Sequence, residues 1–424
     1  MKFTTRGLGC FLLTALPQLS CAATFGMLGP RATGMGGTGV VSAESADAVY
    51  FNPALLATYP QYKEHSGDPR FAFPVIAARF SSAAWDLADF QTHNYEHQLS
   101  QSVNSYNASP GAAAAAGVAE TTSALRSGLS LLNGEKINVD GQLSMLVAVP
   151  TQWQGGAFFV QTRAVGSGVL NLTDADVQIL NDYVDGLNFV ATGGAAGRSV
   201  PSLFDAQGRL IDPTNTLTST ASARGALLVE SGVSMADKFT WRDVPMYWGF
   251  TPKIQAISVF DYVEKAAQGG LDVSHDINHR IRLNADLGWA MDFHGSYRAG
   301  FTARNLIPQT LTTPLNTPVK IQPQVRAGLG RYYGNWLFTT DLDLVRNPRW
   351  GYEAPSQEWA FGTEYRPMAK LALRAGYVHN LQDIGAAGLV TAGVGVTFFG
   401  VDFELAAGVG DKQETYALQL AGRF

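Results

Sequence analysis

Residues 389–409 read LVTAGVGVTFFGVDFELAAGV, and their alternation decides the fold. In 389–398, Val390, Ala392, Val394, Val396 and Phe398 fall on one side, with Thr391, Gly393, Gly395 and Thr397 on the other. Beyond Phe399-Gly400, Val401, Phe403, Leu405, Ala407 and Val409 oppose Asp402, Glu404, Ala406 and Gly408. Side chains repeat every second residue along a strand, so each segment carries one apolar and one polar face. The tail repeats the pattern, Tyr416, Leu418, Leu420, Gly422 and Phe424 opposing Thr415, Ala417, Gln419, Ala421 and Arg423.

The alternation continues towards the N-terminus. It holds through 369–379, 357–366, 334–345, 320–331, 296–305 and 281–291, and more weakly through 246–260 (interrupted by Pro252), 223–237, 156–166, 139–149 and 71–80. These segments predict 14 strands of about ten residues, the length that crosses a bilayer at a tilt. Soluble sandwich strands are shorter, about five or six residues. The polar faces bear charge and glycine, while Trp336, Trp359, Tyr365, Tyr377, Tyr416 and Phe424 fall near strand ends on the apolar face, where girdles form. The expected fold is all-β, a 14-stranded antiparallel transmembrane barrel.

Connection lengths agree with an even strand number. Short turns at 399–400, 367–368, 332–333, 292–295, 238–245 and 150–155 alternate with loops at 410–414, 380–388, 346–356, 306–319, 261–280, 167–222 and 81–138. With Phe424 on the periplasmic side, the longer set faces outward. The insertions 81–138 and 167–222 are expected to hold helices. Residues 112–132 place Val118, Leu125, Leu129 and Leu132 near one face, and 173–190 start with Thr173 as a cap.

Composition narrows the class. Of 424 residues 46% are hydrophobic, 11% aromatic and only 15% charged, with 45 glycines and a formal net charge of −5. A disordered chain has fewer aromatics, and a nucleic-acid binder a basic excess. Two cysteines exclude a disulfide scaffold or a zinc ribbon. Lys2 and Arg6, the apolar run 8–19 and Ser20-Cys21-Ala22 predict a secretory signal over 1–22, whose removal would take Cys10 and Cys21 with it. A lipoprotein signal would acylate Cys21, but Gln18 stands where such a signal wants leucine. Beyond this segment no apolar run suffices for a spanning helix, so a membrane must be crossed by strands.

Two patterns imitate catalytic motifs. Gly34-Met35-Gly36-Gly37-Thr38-Gly39 satisfies G-x-G-x-x-G but follows the signal peptide, not the strand of a βαβ unit, so it suits tight backbone packing in a lumen. His93-Asn94-Tyr95-Glu96-His97 satisfies H-x-x-E-H, yet the next helical stretch offers only Glu120 as a further acidic ligand. His275-Asp276-Ile277-Asn278-His279 repeats the spacing in a polar loop. No catalytic residue, metal or cofactor is expected. The predicted inner-face charges, among them Arg282, Asp286, Arg326, Asp341, Glu364, Arg374 and Glu404, are of mixed sign. A selective pore favours a ring of one sign, so these predict paired ladders in a narrow or plugged lumen.

Gly34 to Val40, followed by Phe51-Asn52-Pro53-Ala54-Leu55-Leu56-Ala57, resembles the N-terminal region of the FadL-type fatty-acid transporter superfamily. The chain from about residue 25 onward is more closely similar to the TraF-like conjugal-transfer proteins of the bacterial outer membrane. That resemblance also rests on 227–236 (LLVESGVSMA), 249–253 (GFTPK), 303–307 (ARNLI), 322–328 (QPQVRAG), 374–381 (RAGYVHNL) and 420–424 (LAGRF). It implies a plug or hatch over 23–65, with Gly34, Gly36, Gly37, Asn52, Pro53 and Ala54 at its centre, inside a barrel over 66–424. It implies a structural or accessory role beside conjugation-apparatus proteins, in contact with outer-membrane lipid and not with nucleic acid. The superfamily implies an alternative, a channel carrying a hydrophobic small molecule. Phe424 with Leu420 and Leu418 resembles the signal read by barrel-insertion machinery.

Overall fold

The computed structural model describes residues 29–58, 70–150, 154–195, 201–266, 277–383, 385 and 387–423. The signal segment 1–22, both ends of the 23–65 segment, His275, Asp276 and Phe424 lie outside the described residues.

The described chain begins inside a barrel. Helix α1 (Pro30–Gly34), helix α2 (Ser45–Phe51) and a 3-10 turn (Pro53–Ala57) are followed by strand β1 (Arg70–Ser81). Helices α3 (Ser82–His93), α4 (Tyr95–Ala108) and α5 (Ala112–Leu132) separate β1 from β2 (Lys136–Val149). Helix α6 (Asp174–Ala191) stands between β3 (Gln154–Asn171) and β4 (Thr220–Trp241). Strands β5 (Val244–Lys265), β6 (Asn278–Phe293) and β7 (Tyr297–Arg304) precede a small hairpin, β8 (Gln309–Thr312) and β9 (Pro318–Ile321). The wall resumes with β10 (Gln324–Tyr333), β11 (Trp336–Asp343), β12 (Glu358–Met368), β13 (Leu371–Asn380), β14 (Leu389–Phe398), β15 (Val401–Val409) and β16 (Gln413–Arg423).

All strands except β8 and β9 form one closed antiparallel sheet, each paired with its sequence neighbours and β1 with β16. The expected 14-stranded barrel is the observed one. Its register follows the alternation: Ala392 faces Ala407, Val394 faces Leu405 and Val396 faces Phe403. Phe399 and Gly400 turn with φ of 49° and 80°, the pair of positive values a two-residue type I′ hairpin requires. Val390 is 59% exposed whereas its neighbour Thr391 is 2% exposed, so the apolar face points away from the lumen. Such a continuous apolar exterior suits lipid, not water.

β4 and β5 exceed the expected lengths, each running 22 residues and leaving only Arg242-Asp243 between them. Pro252 interrupts the pattern without ending the strand. The β4–β5 ladder lapses between Gly232–Lys253 and Met235–Phe250, because proline has no N–H to offer.

The two insertions join into one helical cap at the end of the barrel opposite the short turns. Helix α5 occupies the predicted residues, and α6 follows Thr173, whose hydroxyl accepts from Asp176 N at 3.2 Å. Leu99, Val103, Val118, Leu125, Leu129, Leu180 and Leu187 form its core. Helices α3 and α4 escape sequence reading because polar residues interrupt their apolar stripe. Asp176 ties α6 to the start of β4, accepting from Thr218 N at 2.8 Å, Ser219 N at 2.6 Å and the hydroxyls of both. Burial alone would raise its carboxyl, and these donors outweigh burial, holding it below the ordinary carboxylate range. Asp176→Ala is expected to strand several buried donors and cost the cap roughly 1–3 kcal/mol, read as faster proteolysis within 172–219 while the barrel stays intact.

A second departure from expectation lies in the 306–319 connection. It folds inward as the β8–β9 hairpin, packing Leu311, Val319 and Ile321 on the lumenal side chains Leu228, Ile257 and Val259. Thr313 and Thr317 donate to Asp261 at 3.3 and 2.7 Å, holding the hairpin to the wall.

Candidate functional site

The lumen is filled at the short-turn end by residues 29–58. Five-residue α1 ends on glycines: Gly36 and Gly37 have φ of 70° and 87°, and Gly37 N donates back to Ala32 O at 2.7 Å. This is the left-handed helix end that glycine permits at least cost. The turn then presses against the wall, where Gly36 N donates to Thr391 Oγ1 at 2.9 Å. Asn52 is buried and bonds in three directions. Its Nδ2 donates to Val40 O at 2.8 Å and to Trp289 O at 3.1 Å, and its Oδ1 accepts from Ala54 N at 3.1 Å, capping the 3-10 turn. Pro53 opens that turn, where its missing N–H costs nothing.

The wall makes room with glycine. A Cβ on Gly362 would sit 2.6 Å from Met35 Cβ, one on Gly376 2.7 Å from Met35 Cα, and one on Gly249 2.8 Å from Pro53 O. The plug glycines and Asn52-Pro53-Ala54, which the sequence groups as a hatch, therefore meet bare backbone on several strands. Asp341 reaches inward and accepts from Gly39 N at 2.7 Å and Val40 N at 3.0 Å.

Charge binds the same parts together. Buried Glu364 accepts from Arg31 of the plug at 2.6 Å, Arg374 at 2.7 Å and Arg366 at 2.9 Å, and Arg374 continues to Glu404 at 2.8 Å. Arg31 also reaches Glu44 at 3.0 Å. Arg326 bridges Asp343 at 2.6 Å and Glu358 at 3.0 Å and donates to Gly37 O at 3.2 Å. Across the lumen Lys253 sits between Glu230 and Asp286, 3.0 Å from each. Of the sequence-predicted lumen charges, Asp286, Arg326, Glu364, Arg374 and Glu404 belong to these ion pairs, and Asp341 instead holds the plug backbone. Arg282 does not: it has the register of Asn284 and Asp286 but is exposed and donates to its neighbour's carbonyl, Ile281 O, at 3.3 Å.

Plug residue Asp47 is different. Burial first, then the neighbouring charge of Glu404, push its carboxyl up to about 8, with Glu44 adding to the rise and Arg31 and Arg374 opposing it. Folding therefore favours the protonated acid. Stability from this proton is complete below the unfolded value near 3.8 and is lost as pH rises through about 8. Asp47→Asn is expected to be more heat-stable than the parent at pH 9 and to differ little at pH 4, a comparison made by thermal unfolding in detergent.

The H-x-x-E-H pattern does not assemble. His93 closes α3, Asn94 adopts a left-handed φ of 49°, and His97 lies in the first turn of α4, so the two histidines share no helix face. Among the described residues no cluster of His, Cys, Asp and Glu is arranged to hold a metal.

A protein-family model described as "F plasmid transfer operon, TraF, protein" matches residues 49–343, more than half of the chain. The chain belongs to the TraF family. The strands that meet the plug's 3-10 turn, β3 to β6, lie within that match, whereas α1 packs on β13 to β16 beyond it. No curated protein sequence matches this TraF-family chain. Among solved structures, a TodX deltaS2S3 mutant monoaromatic hydrocarbon channel aligns with a TM-score of 0.52 at 10% identity, covering 93% of this chain and 99% of the channel. The P. putida toluene transporter TodX aligns with a TM-score of 0.49 at 10% identity, covering 93% and 98% of the two chains. A Pseudomonas aeruginosa FadL homologue reaches 0.45 at 9%, covering 94% and 98%. Identity this low speaks to the fold alone. The fold and family place this TraF-family barrel in the bacterial outer membrane.

Sequence reasoning overlooked Arg31, Glu44, Glu230 and Lys253, whose pairings are made only when plug and strands come together. Lys253 and Glu230 left a trace, sharing strand parity with Thr251 and Gln255 and with Gly232 and Ser234 respectively.

Proposed function

We propose that this protein is a sealed barrel, without catalytic activity, that serves the conjugal-transfer apparatus as a structural or accessory component of the outer membrane. One observation carries the reading: the plug is joined to the wall by buried charged contacts, Arg31 paired with Glu364 on β12 and Gly37 O accepting from Arg326 on β10, which is itself paired with Asp343 and Glu358. Moving the plug as a hatch would separate those charges in a low-dielectric interior, which is costly. The helical cap would then be the surface offered to transfer proteins, and lipid and barrel-insertion machinery its other partners.

The channel reading draws support from the fold shared with the TodX channel. A hydrophobic molecule, however, would have to pass Lys253, Arg326 and Arg374 with their acidic partners. Apolar solutes do not replace such hydration or pairing. The deciding experiment is a clean deletion assayed for both mating and uptake of an aromatic hydrocarbon. Mating is expected to fall by orders of magnitude with uptake unchanged. Normal mating would overturn the accessory role, and lost uptake with normal mating would establish the channel.

A further inference from the structure

At the helical mouth the barrel keeps a cavity of about 540 Å3, bounded by β1, β2, β3 and β13 and by the 344–357 connection. That connection crosses the lumen. Tyr352 N donates to Ser167 Oγ on β3 at 3.0 Å, and a Cβ on Gly351 would collide with Ser167. The crossing fixes two lining residues, Arg349 and Trp350, of which Trp350 is only 2% exposed.

The inner lining is rich in N–H groups. Arg163 is satisfied by Asp140 through two bonds, at 2.9 and 2.5 Å. Arg79 spends one amino group on Glu358 at 3.5 Å, and Arg349 one on Glu353 at 2.6 Å. Arg79 Nη2, Arg349 Nε and Trp350 Nε1 remain, each buried without an acceptor among the described residues. Among the described residues no buried side-chain acceptor lining the same cavity is left unmatched. Of the other lining acids, Glu135 pairs with Lys412 at 3.3 Å, and Asp383 and Asp411 stand exposed at the rim, where water screens them.

A buried N–H without an acceptor is costly, and three in one cavity call for a ligand that brings oxygen. A hydrocarbon would leave all three unmatched. Two guanidinium groups beside an indole N–H match the lone pairs of an oxyanion. The volume is that of a small organic ligand.

We propose that this cavity binds a small water-soluble molecule through a carboxylate or phosphate group held by Arg79, Arg349 and Trp350. The site stands apart from the accessory role, because its donors are in place whether or not the lumen ever opens. Its ligand chemistry is the reverse of the hydrophobic cargo implied by the superfamily.

The test is calorimetric titration of the full-length barrel in a neutral detergent with glycerol 3-phosphate, succinate, glycerol and toluene. At least one of the two anions is expected to bind, with glycerol and toluene giving no heat. Trp350→Phe keeps the ring and its packing while removing one donor, and should weaken the anion about tenfold. Arg349→Gln and Arg79→Gln should each weaken it roughly ten- to hundredfold, provided circular dichroism shows the barrel intact. Failure of both anions to bind, binding of glycerol as tight as its phosphate, or an unchanged affinity in Trp350→Phe would each overturn the proposal. Repeating the titration in phosphatidylglycerol nanodiscs separates two sources of the oxyanion. Lost binding there assigns the site to a lipid headgroup and retained binding to a free solute, and either result upholds the oxyanion site.

Discussion

Gly376→Leu is expected to turn a silent barrel into a conducting one. In planar bilayers the parent should pass no current, because residues 29–58 fill the short-turn half of the lumen. Position 376 lies on β13 against the plug, where even a Cβ would come within 2.7 Å of Met35 Cα and closer still to Gly36 N. The plug has nowhere to retreat. On its other side Asn52 is bonded to Trp289 O and a Cβ on Gly288 would meet Pro53 Cδ at 2.8 Å. A leucine side chain must therefore expel the first plug segment or prevent its docking, since packed interiors do not yield by the volume of four carbons. Single-channel recordings should show openings in Gly376→Leu and in a deletion of residues 29–58. A folded Gly376→Leu barrel that stays silent would show that the β8–β9 hairpin and the 344–357 crossing seal the lumen without the plug.

The second large effect is on stability. Glu364 is the shared acceptor of Arg31, Arg366 and Arg374, and its side chain is fully buried. Glu364→Gln keeps the shape and removes the charge, leaving three guanidinium groups to share Glu44 and Glu404. Breaking a buried pair by removing one partner costs about 3–5 kcal/mol, and here three partners are affected. Unfolding in urea should move to markedly lower denaturant. Adding Arg366→Met to Glu364→Gln should recover part of the loss, since Arg31 then keeps Glu44 and Arg374 keeps Glu404 with one fewer surplus charge. Equal stability of parent and Glu364→Gln would mean that the network does not hold the plug, and the argument against a moving hatch would lose its support.

Much of the wall was legible because a strand's environment repeats every two residues. Val390 and Leu405 read as outward and Thr391 and Glu404 as inward without knowledge of their neighbours. Helix α5 was legible for the same kind of reason, its apolar residues recurring at helical spacing. The 306–319 connection was not: Thr310, Leu311 and Thr312 alternate too briefly to separate from a loop, and what makes them a strand is the lumenal surface of Leu228 and Ile257 beneath them. Arg79, Arg349 and Trp350 carry no local signal at all. They matter together because a connection from β11 to β12 crosses to β3.

By itself the sequence determined the solvent of each face, the number of strands, the side on which the insertions lie and the mixed sign of the inner charges. Each of these follows from local periodicity, which burial in lipid or lumen imposes along every strand. Only the tertiary structure decided which charges meet, where the wall is bare enough for the plug and which donors are left unmatched. Those facts depend on contacts between residues hundreds of positions apart, such as Gly36 with Thr391 and Gly39 with Asp341. Closure of the barrel brings such pairs together, and no local pattern encodes them.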